Sequence, residues 1–238
     1  MKQLHRPDPP EGLDQYNYRS QRWDDLSSTD KRAIRGQLVA MQGTFCAYCE
    51  CRLPGDVPNQ NGNVKQHIEH FRQKGKDPRV TFQWENLFLS CWEPHCCGRH
   101  KDSLASVDYD LLLKPDECRP ELHLLFTLSG DVCPRSQDPE SRSSKRAEET
   151  IKVFGLGGDK NPLRYQRQNA IASAQCFMKE ILEWSEILEE GDEELQDDIQ
   201  QLLAEELEQL KNYLYYTAIK HSLLPEQWHL EFDSIGES

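Results

Sequence analysis

The chain has 238 residues, of which 37% are apolar and 29% charged, and it carries a net charge of −13 at a mean hydropathy of −0.80. Five Trp, eight Tyr and eight Phe supply more packing groups than a disordered chain of this polarity would hold, so one or two folded domains are expected. No apolar run approaches the roughly 18–20 residues of a membrane span; the opening residues 1–7 also lack the apolar stretch of a secretory signal, which argues against a membrane or secreted protein and predicts a cytoplasmic one.

Residues 1–28 contain Pro7, Pro9 and Pro10 among many polar residues and read as an irregular arm lying on the body, with Tyr16, Tyr18 and Trp23 as anchors. A helix follows: Ser27-Ser28-Thr29-Asp30 offers a cap, Ile34, Leu38, Val39 and Met41 recur at helical spacing, and Gly43 is placed to end it. Between Cys46 and Asp102 two strand-like pieces stand out, 66–71 and 87–91. Residues 104–160 form a connecting segment, with a strand expected within 122–128, an exposed loop over 136–144, and a short helix over 145–154 that stops at Gly155-Leu156-Gly157-Gly158. From about Pro162 to His221 the pattern is helical again. Ile171, Ala174, Met178, Ile181, Leu182 and Leu188 make one stripe, Gly191-Asp192 breaks it, and Leu195, Ile199, Leu202, Leu203, Leu210, Leu214 and Ala218 make a second. Residues 161–238 therefore read as an acidic helical hairpin region.

The charge is unevenly spread. Residues 1–103 carry 15 Lys/Arg against 13 Asp/Glu, and the remainder 13 against 28. The acid thus sits in the second half, much of it as a solvated helix face, and the first half can still approach a phosphate backbone.

Nine cysteines is an odd count, and six of them fall between Cys46 and Cys97. In a reducing compartment such clustering points to metal rather than to a disulfide framework. Cys46-Ala47-Tyr48-Cys49 is one half of a tetrahedral zinc site; Cys91 plus one of His95, Cys96 or Cys97 is the other half. Cys51, Cys118, Cys133 and Cys176 read as bystanders. Between the halves lies Gln66-His67-Ile68-Glu69-His70-Phe71, followed by Trp84-Glu85-Asn86-Leu87 and by Arg99-His100-Lys101-Asp102. The order of Cys-x-x-Cys, Glu-His, Asn, Cys and His-Lys is more specific than any of its parts.

In this order the chain resembles the HNH endonuclease superfamily, in which a β-hairpin and a helix wrap a catalytic divalent ion. Cys46-Ala47-Tyr48-Cys49-Glu50, Ile68-Glu69-His70-Phe71, Trp84-x-Asn86-Leu87 and Cys97-Gly98-x-His100-Lys101-Asp102 look like the HNH effectors of Septu-type and retron-linked anti-phage defence, the PtuB group. The resemblance implies an α+β, mostly α fold with a zinc-stapled HNH ββα-metal motif over residues 29–103 and a C-terminal helical region. It further implies His70 as general base, with Glu69 and His100 as ligands of a catalytic Mg²⁺ or Mn²⁺. Asn86 would brace the loop and orient His70; His67 would be a further ligand or a phosphate contact. Alignment on Gly-x-His-Lys selects Cys97, with Cys96 as runner-up, to join Cys46, Cys49 and Cys91 around structural Zn²⁺. A bacterial cytoplasmic setting follows from the same resemblance, as do an ATPase partner of the PtuA type and a retron reverse transcriptase with its small DNA–RNA product, the msDNA.

The residues themselves suggest how a nucleic acid would be held. Arg72, Lys74, Lys76, Arg79, Arg99 and Lys101 cluster near the expected base with only Asp77 opposing them between 72 and 79, so DNA or RNA is expected there. The competing class is a noncatalytic zinc module that binds nucleic acid or a partner protein. Such a module needs four zinc ligands but has no use for Glu69, His70, Asn86 and His100 together. A thiol redox protein built on Cys46 and Cys49 would need a βαβ context that the pattern lacks.

Overall fold

Leu87-Phe88-Leu89-Ser90-Cys91 contains no charge and is buried along its whole length, and the rest of the fold is arranged around this strand, β2 (Leu87–Cys91). The computed structural model describes residues 1–54, 66–158, 161–190, 201, 205 and 209–224, with main chain alone at 66, 176–178 and 180–190. β2 pairs antiparallel with β1 (Gln66–His70), setting His67 opposite Ser90, Ile68 opposite Leu89 and Glu69 opposite Phe88. α1 (Ser28–Gln42) packs on β2. Its ends lie where expected: the Ser27 side chain accepts from the Asp30 N–H, and Gly43 closes the helix at a φ of 67°. Ile34 and Leu38 enter the core, but Val39 is 38% exposed, because successive helical residues lie about 100° apart and Leu38 takes the inward position. Gln42 stands in for a third strand, its side chain donating to the Leu89 carbonyl at 2.9 Å and accepting from the Leu89 N–H at 3.0 Å.

α2 (Cys97–Ser103) follows the hairpin. A second antiparallel hairpin, β3 (Leu124–Phe126) with β4 (Val132–Pro134), packs on α3 (Arg142–Val153) and on α5 (Tyr216–Leu223); α4 (Pro162–Glu190) packs on α5. Five helices and two small sheets among the described residues make an α+β fold. α3 starts inside the expected loop because Ser141 caps it, accepting from the Ser144 N–H at 3.1 Å.

The second arm of the expected hairpin is corrected by the structure. The chain turns at 211–215, with Tyr215 at a φ of 57°, and Leu214 is 38% exposed whereas Leu210 and Ala218 are buried. Tertiary bonds impose this break. The Glu50 carbonyl accepts from the Tyr215 N–H at 3.2 Å. The Glu50 carboxylate accepts from the Thr217 N–H at 2.8 Å and from the Thr217 hydroxyl. Burial would raise the Glu50 pKa, but the Met1 α-amino group 2.6 Å away and the Thr217 donors hold it down at about 2. Leu195, Ile199, Leu202 and Leu203 lie outside the described residues, as do the side chains of Cys176, Met178, Ile181, Leu182 and Leu188 and most of the acidic run. Among the described residues no helix is long and apolar enough to cross a membrane.

The first residues include two single 3₁₀ turns, Leu13–Gln15 and Trp23–Asp25. Arg6 fastens the N-terminal arm. Its Nε donates to Asp116 at 2.6 Å, its Nη1 donates to the carbonyls of Trp84 and Leu87 at 2.8 and 3.1 Å, and its guanidinium lies 4.6 Å from the centre of the Phe88 ring. Arg6→Ala leaves the buried Asp116 carboxylate without its main partner, and urea unfolding is expected to show a loss of roughly 3–5 kcal/mol.

Candidate functional site

The chain between α1 and β1 folds back on itself as a tight knuckle. The Cys46 N–H donates to the Cys51 carbonyl at 2.9 Å and the Glu50 N–H to the Cys46 carbonyl at 3.0 Å, with Glu50 at a φ of 64°. This turn aims Cys46 and Cys49 at Cys91, the last residue of β2, and at Cys97, the first of α2. Cys97 has a φ of 57° and its N–H is held by the Phe154 carbonyl at 2.7 Å. The four sulfurs are buried and lie within 4.8 Å of one another. Cys49 and Cys91 are 4.0 Å apart, close to the about 3.8 Å edge of a tetrahedron with zinc–sulfur bonds of about 2.3 Å. Among the described residues this is the one group of three or more His, Cys, Asp or Glu side chains gathered so closely. Hydrogen bonds from Cys46 and Cys49 pull the Cys91 thiol far below its usual pKa, while Cys46 raises Cys49 and burial raises Cys97. Four thiolates therefore cannot coexist here without a cation, and the donor set fits one metal ion such as zinc. Cys96 lies 3.9 Å from Cys91 but outside the group of four, and Cys51 is half-buried beside it.

α2 lies against the face of the hairpin that carries His67 and Glu69. The Gly98 N–H donates to Ser90 Oγ at 3.2 Å, and a Cβ on Gly98 would stand 2.4 Å from Glu69 Oε2. Gly98 thus makes the space that Glu69 occupies. Glu69 is buried; its Oε1 is 2.9 Å from Lys101 Nζ and its Oε2 is 3.5 Å from His67 Nε2. His67 Nδ1 is buried with no hydrogen-bond partner. A cleft of about 310 Å³ is lined by His67, Glu69, His70, Gln73, Lys74 and Asp102, among others.

His70 ends β1 with its ring edge-on to Trp23 at 4.5 Å and its Nε2 3.1 Å from the Thr81 carbonyl. A carbonyl only accepts, so Nε2 carries the proton and Nδ1 is left as an acceptor. Burial, reinforced by Lys74 and Lys101, pushes the His70 pKa down to about 3, so the ring is neutral near pH 7. The Asn86 side chain makes its hydrogen bonds to residues other than His70. It ties the backbone around it, accepting from the Arg72 N–H at 2.7 Å and donating to the carbonyls of Arg72 and Val80 at 3.0 and 3.1 Å, which sets the position of the adjacent Thr81.

Two expected site residues have partners other than those the resemblance implies. Lys101, expected on a phosphate, is fully buried, and its ammonium donates to the His70 carbonyl at 2.8 Å and to Asp102 at 2.7 Å while pairing with Glu69. His100, expected on the catalytic ion, turns away from the cleft; its Nδ1 is 2.9 Å from the Val153 carbonyl and its ring approaches Gly155. The helical period explains the exchange, because Gly98, Lys101 and Asp102 share the face that meets β1 and His100 falls outside it. Of the basic cluster, Lys74 is exposed, Arg72 is exposed but lies 3.6 Å from Asp110 and over Tyr109, Lys76 is also exposed but donates to the carbonyls of Leu104 and Ala105, Arg79 is paired with Asp77, and Arg99 lies over Trp92. The cleft also contains Gln73, and Asp102, which closes the motif but has no role in the sequence pattern. The i, i+3, i+4 relation from Gly98 could have flagged Asp102. Thr81 carried no local signal.

No family model matches the sequence. The chain is 25% identical over 157 residues to the protein named "Retron Vc95 putative HNH endonuclease" of Vibrio cholerae serotype O1 biovar El Tor, an alignment covering 63% of this chain and 68% of that protein. It is 33% identical over 69 residues to the Septu protein PtuB of Bacillus thuringiensis, covering 29% of this chain and about a quarter of that protein's length, 24%. These likenesses loosely support an HNH-type defence effector.

Elemental analysis of the purified chain is expected to find one bound zinc, retained in Cys96→Ser and lost in Cys97→Ser. Gly98→Ala forces Glu69 off Lys101, and thermal unfolding is expected to show a loss of roughly 1–3 kcal/mol.

Proposed function

We propose that the chain is a metal-dependent HNH-type nuclease that hydrolyses phosphodiester bonds of DNA or RNA, with Glu69 and His70 at its centre. The observation that carries this reading is the neutral, Nε2-protonated His70 beside the buried Glu69 in a cleft formed by strand, strand and helix against a buried four-cysteine group. The names of the two relatives support it.

Glu69 and Asp102 would supply oxygen donors to a hard divalent cation retaining several waters, with His67 Nε2, 3.5 Å from Glu69, as the nitrogen donor at the same cleft. When bound, Mg²⁺ or Mn²⁺ would supply charge neutralisation for the phosphoryl oxygens and the departing oxygen. His70 Nδ1 takes the proton of the attacking water, a task that requires a neutral imidazole. Thr81 holds the opposite nitrogen, and Asn86 holds Thr81's loop, so the acceptor keeps its aim. Lys101 is a positioning residue that fixes the Glu69 carboxylate and the His70 backbone. Arg72, Lys74 and Arg99 are the exposed cations available to the phosphates. In this reading the chain is the toxic effector of a bacterial anti-phage system, working with an ATPase of the PtuA type and with a retron reverse transcriptase and its msDNA.

The test is cleavage of mixed DNA and RNA pools with and without Mg²⁺, by the wild-type chain and by His70→Ala, each purified with any co-expressed partner. Metal-dependent cutting that falls at least 10²-fold in His70→Ala is expected from loss of a general base. Equal cutting by both proteins removes His70 from that role, and binding without cutting by either favours the noncatalytic zinc module. Lys101→Met is expected to lower cutting while leaving the zinc content unchanged.

A further inference from the structure

Trp92 is 50% exposed, an expensive place for an indole in water, yet it is firmly held. It directly follows the cluster residue Cys91 at the end of β2, which fixes where its backbone begins. The Arg99 guanidinium lies 4.8 Å from its ring centre, and Arg99 Nη1 donates to the Trp92 carbonyl at 3.2 Å. The His67 ring meets the indole at 5.1 Å with an interplanar angle of 85°. His67 in turn stands 3.5 Å from Glu69. The exposed indole is therefore separated from the Glu69 cleft by a single side chain.

Resting on the nucleic-acid reading above, we propose that Trp92, braced by Arg99, is a stacking platform for an unpaired base beside the scissile phosphate, which makes single-stranded nucleic acid the substrate class. A base within a duplex is stacked on both faces and offers only its edges to the grooves. An exposed aromatic ring can be used only by a base that is unstacked, as in single strands and loops. Arg99 contributes a cation beside the ring, which both fixes the indole and attracts the strand's phosphates. Stacking of this kind is tolerant of sequence, so the platform sets strandedness and register but not base identity.

Fluorescence anisotropy tests this with labelled 20-nucleotide DNA and RNA single strands and their duplexes, using Ca²⁺ in place of Mg²⁺ to suppress cutting. Trp92→Ala is expected to weaken single-strand binding roughly 5- to 150-fold, the range for loss of one stacked base. Trp92→Phe is expected to stay within about threefold, and duplex binding to change little. The DNA and RNA arms show which single strand the platform accepts. Because Trp92 adjoins a metal ligand, a second measurement uses the wild-type chain alone: single strands with abasic sites along their length should bind weaker by the same range. Equal binding of abasic and intact strands overturns the proposal, as does an equal loss of single-strand and duplex binding in Trp92→Ala. Cutting that depends on His70 together with equal abasic binding would defeat only this proposal. Binding that depends on bases and on Trp92, in a chain that never cuts, would defeat only the nuclease reading.

Discussion

The four-sulfur group is where three pieces of chain meet: the knuckle at Cys46–Cys49, the end of β2 at Cys91, and the start of α2 at Cys97. α2 has seven residues, far too few to be stable on its own. Its position against β1 therefore rests on where Cys97 meets the other three sulfurs, on the Phe154 carbonyl that holds the Cys97 N–H, and on the Ser90 hydroxyl that holds the Gly98 N–H. That placement brings a glycine over Glu69 and a lysine beneath it. The cleft is thus a consequence of the sulfur group rather than a separate construction.

Within the cleft the charges are arranged to keep one group ionised and another neutral. Burial would lower the Lys101 pKa, but Glu69 and Asp102 raise it, and the resulting ammonium is locked between these carboxylates and the His70 carbonyl. The same positive charge, with that of Lys74, opposes protonation of His70, which burial already disfavours. Removing His70 from water leaves Nδ1 as an acceptor and nothing else, while Trp23 of the N-terminal arm covers the ring edge-on. The arm contributes to the site through this contact, and Arg6 keeps the arm in place against β2.

Glu50 links the two halves of the molecule. It belongs to the knuckle, yet its carbonyl and carboxylate cap the start of α5 and break the helical stripe at 211–215. A break of this kind lies beyond periodicity, since the leucine pattern through Leu210, Leu214 and Ala218 is sound helical spacing and the competing partner is more than 160 residues away.

What could be read from the residues alone is what depends on short-range chemistry. The capped helix from Ser27 to Gly43, the uncharged strand at 87–91, the Cys-x-x-Cys knuckle and the Glu-His pair each carry their cause within a few residues, and each is found where the pattern put it. The residues alone left His95, Cys96 and Cys97 open, and it was the family resemblance, through Gly98 to Lys101, that selected Cys97; the roles within that helix were not legible. His100 and Lys101 differ by one position, about 100° of helical rotation. Which of them faces β1 is settled by the left-handed backbone at Cys97 and by the close fit of Gly98 on Glu69. The Thr81 carbonyl that sets the tautomer of His70, the cover from Trp23 and the exposure of Trp92 likewise come from contacts between segments far apart in the chain. Composition and spacing specify which groups are available, but their direction, burial and partners arise only once distant segments pack.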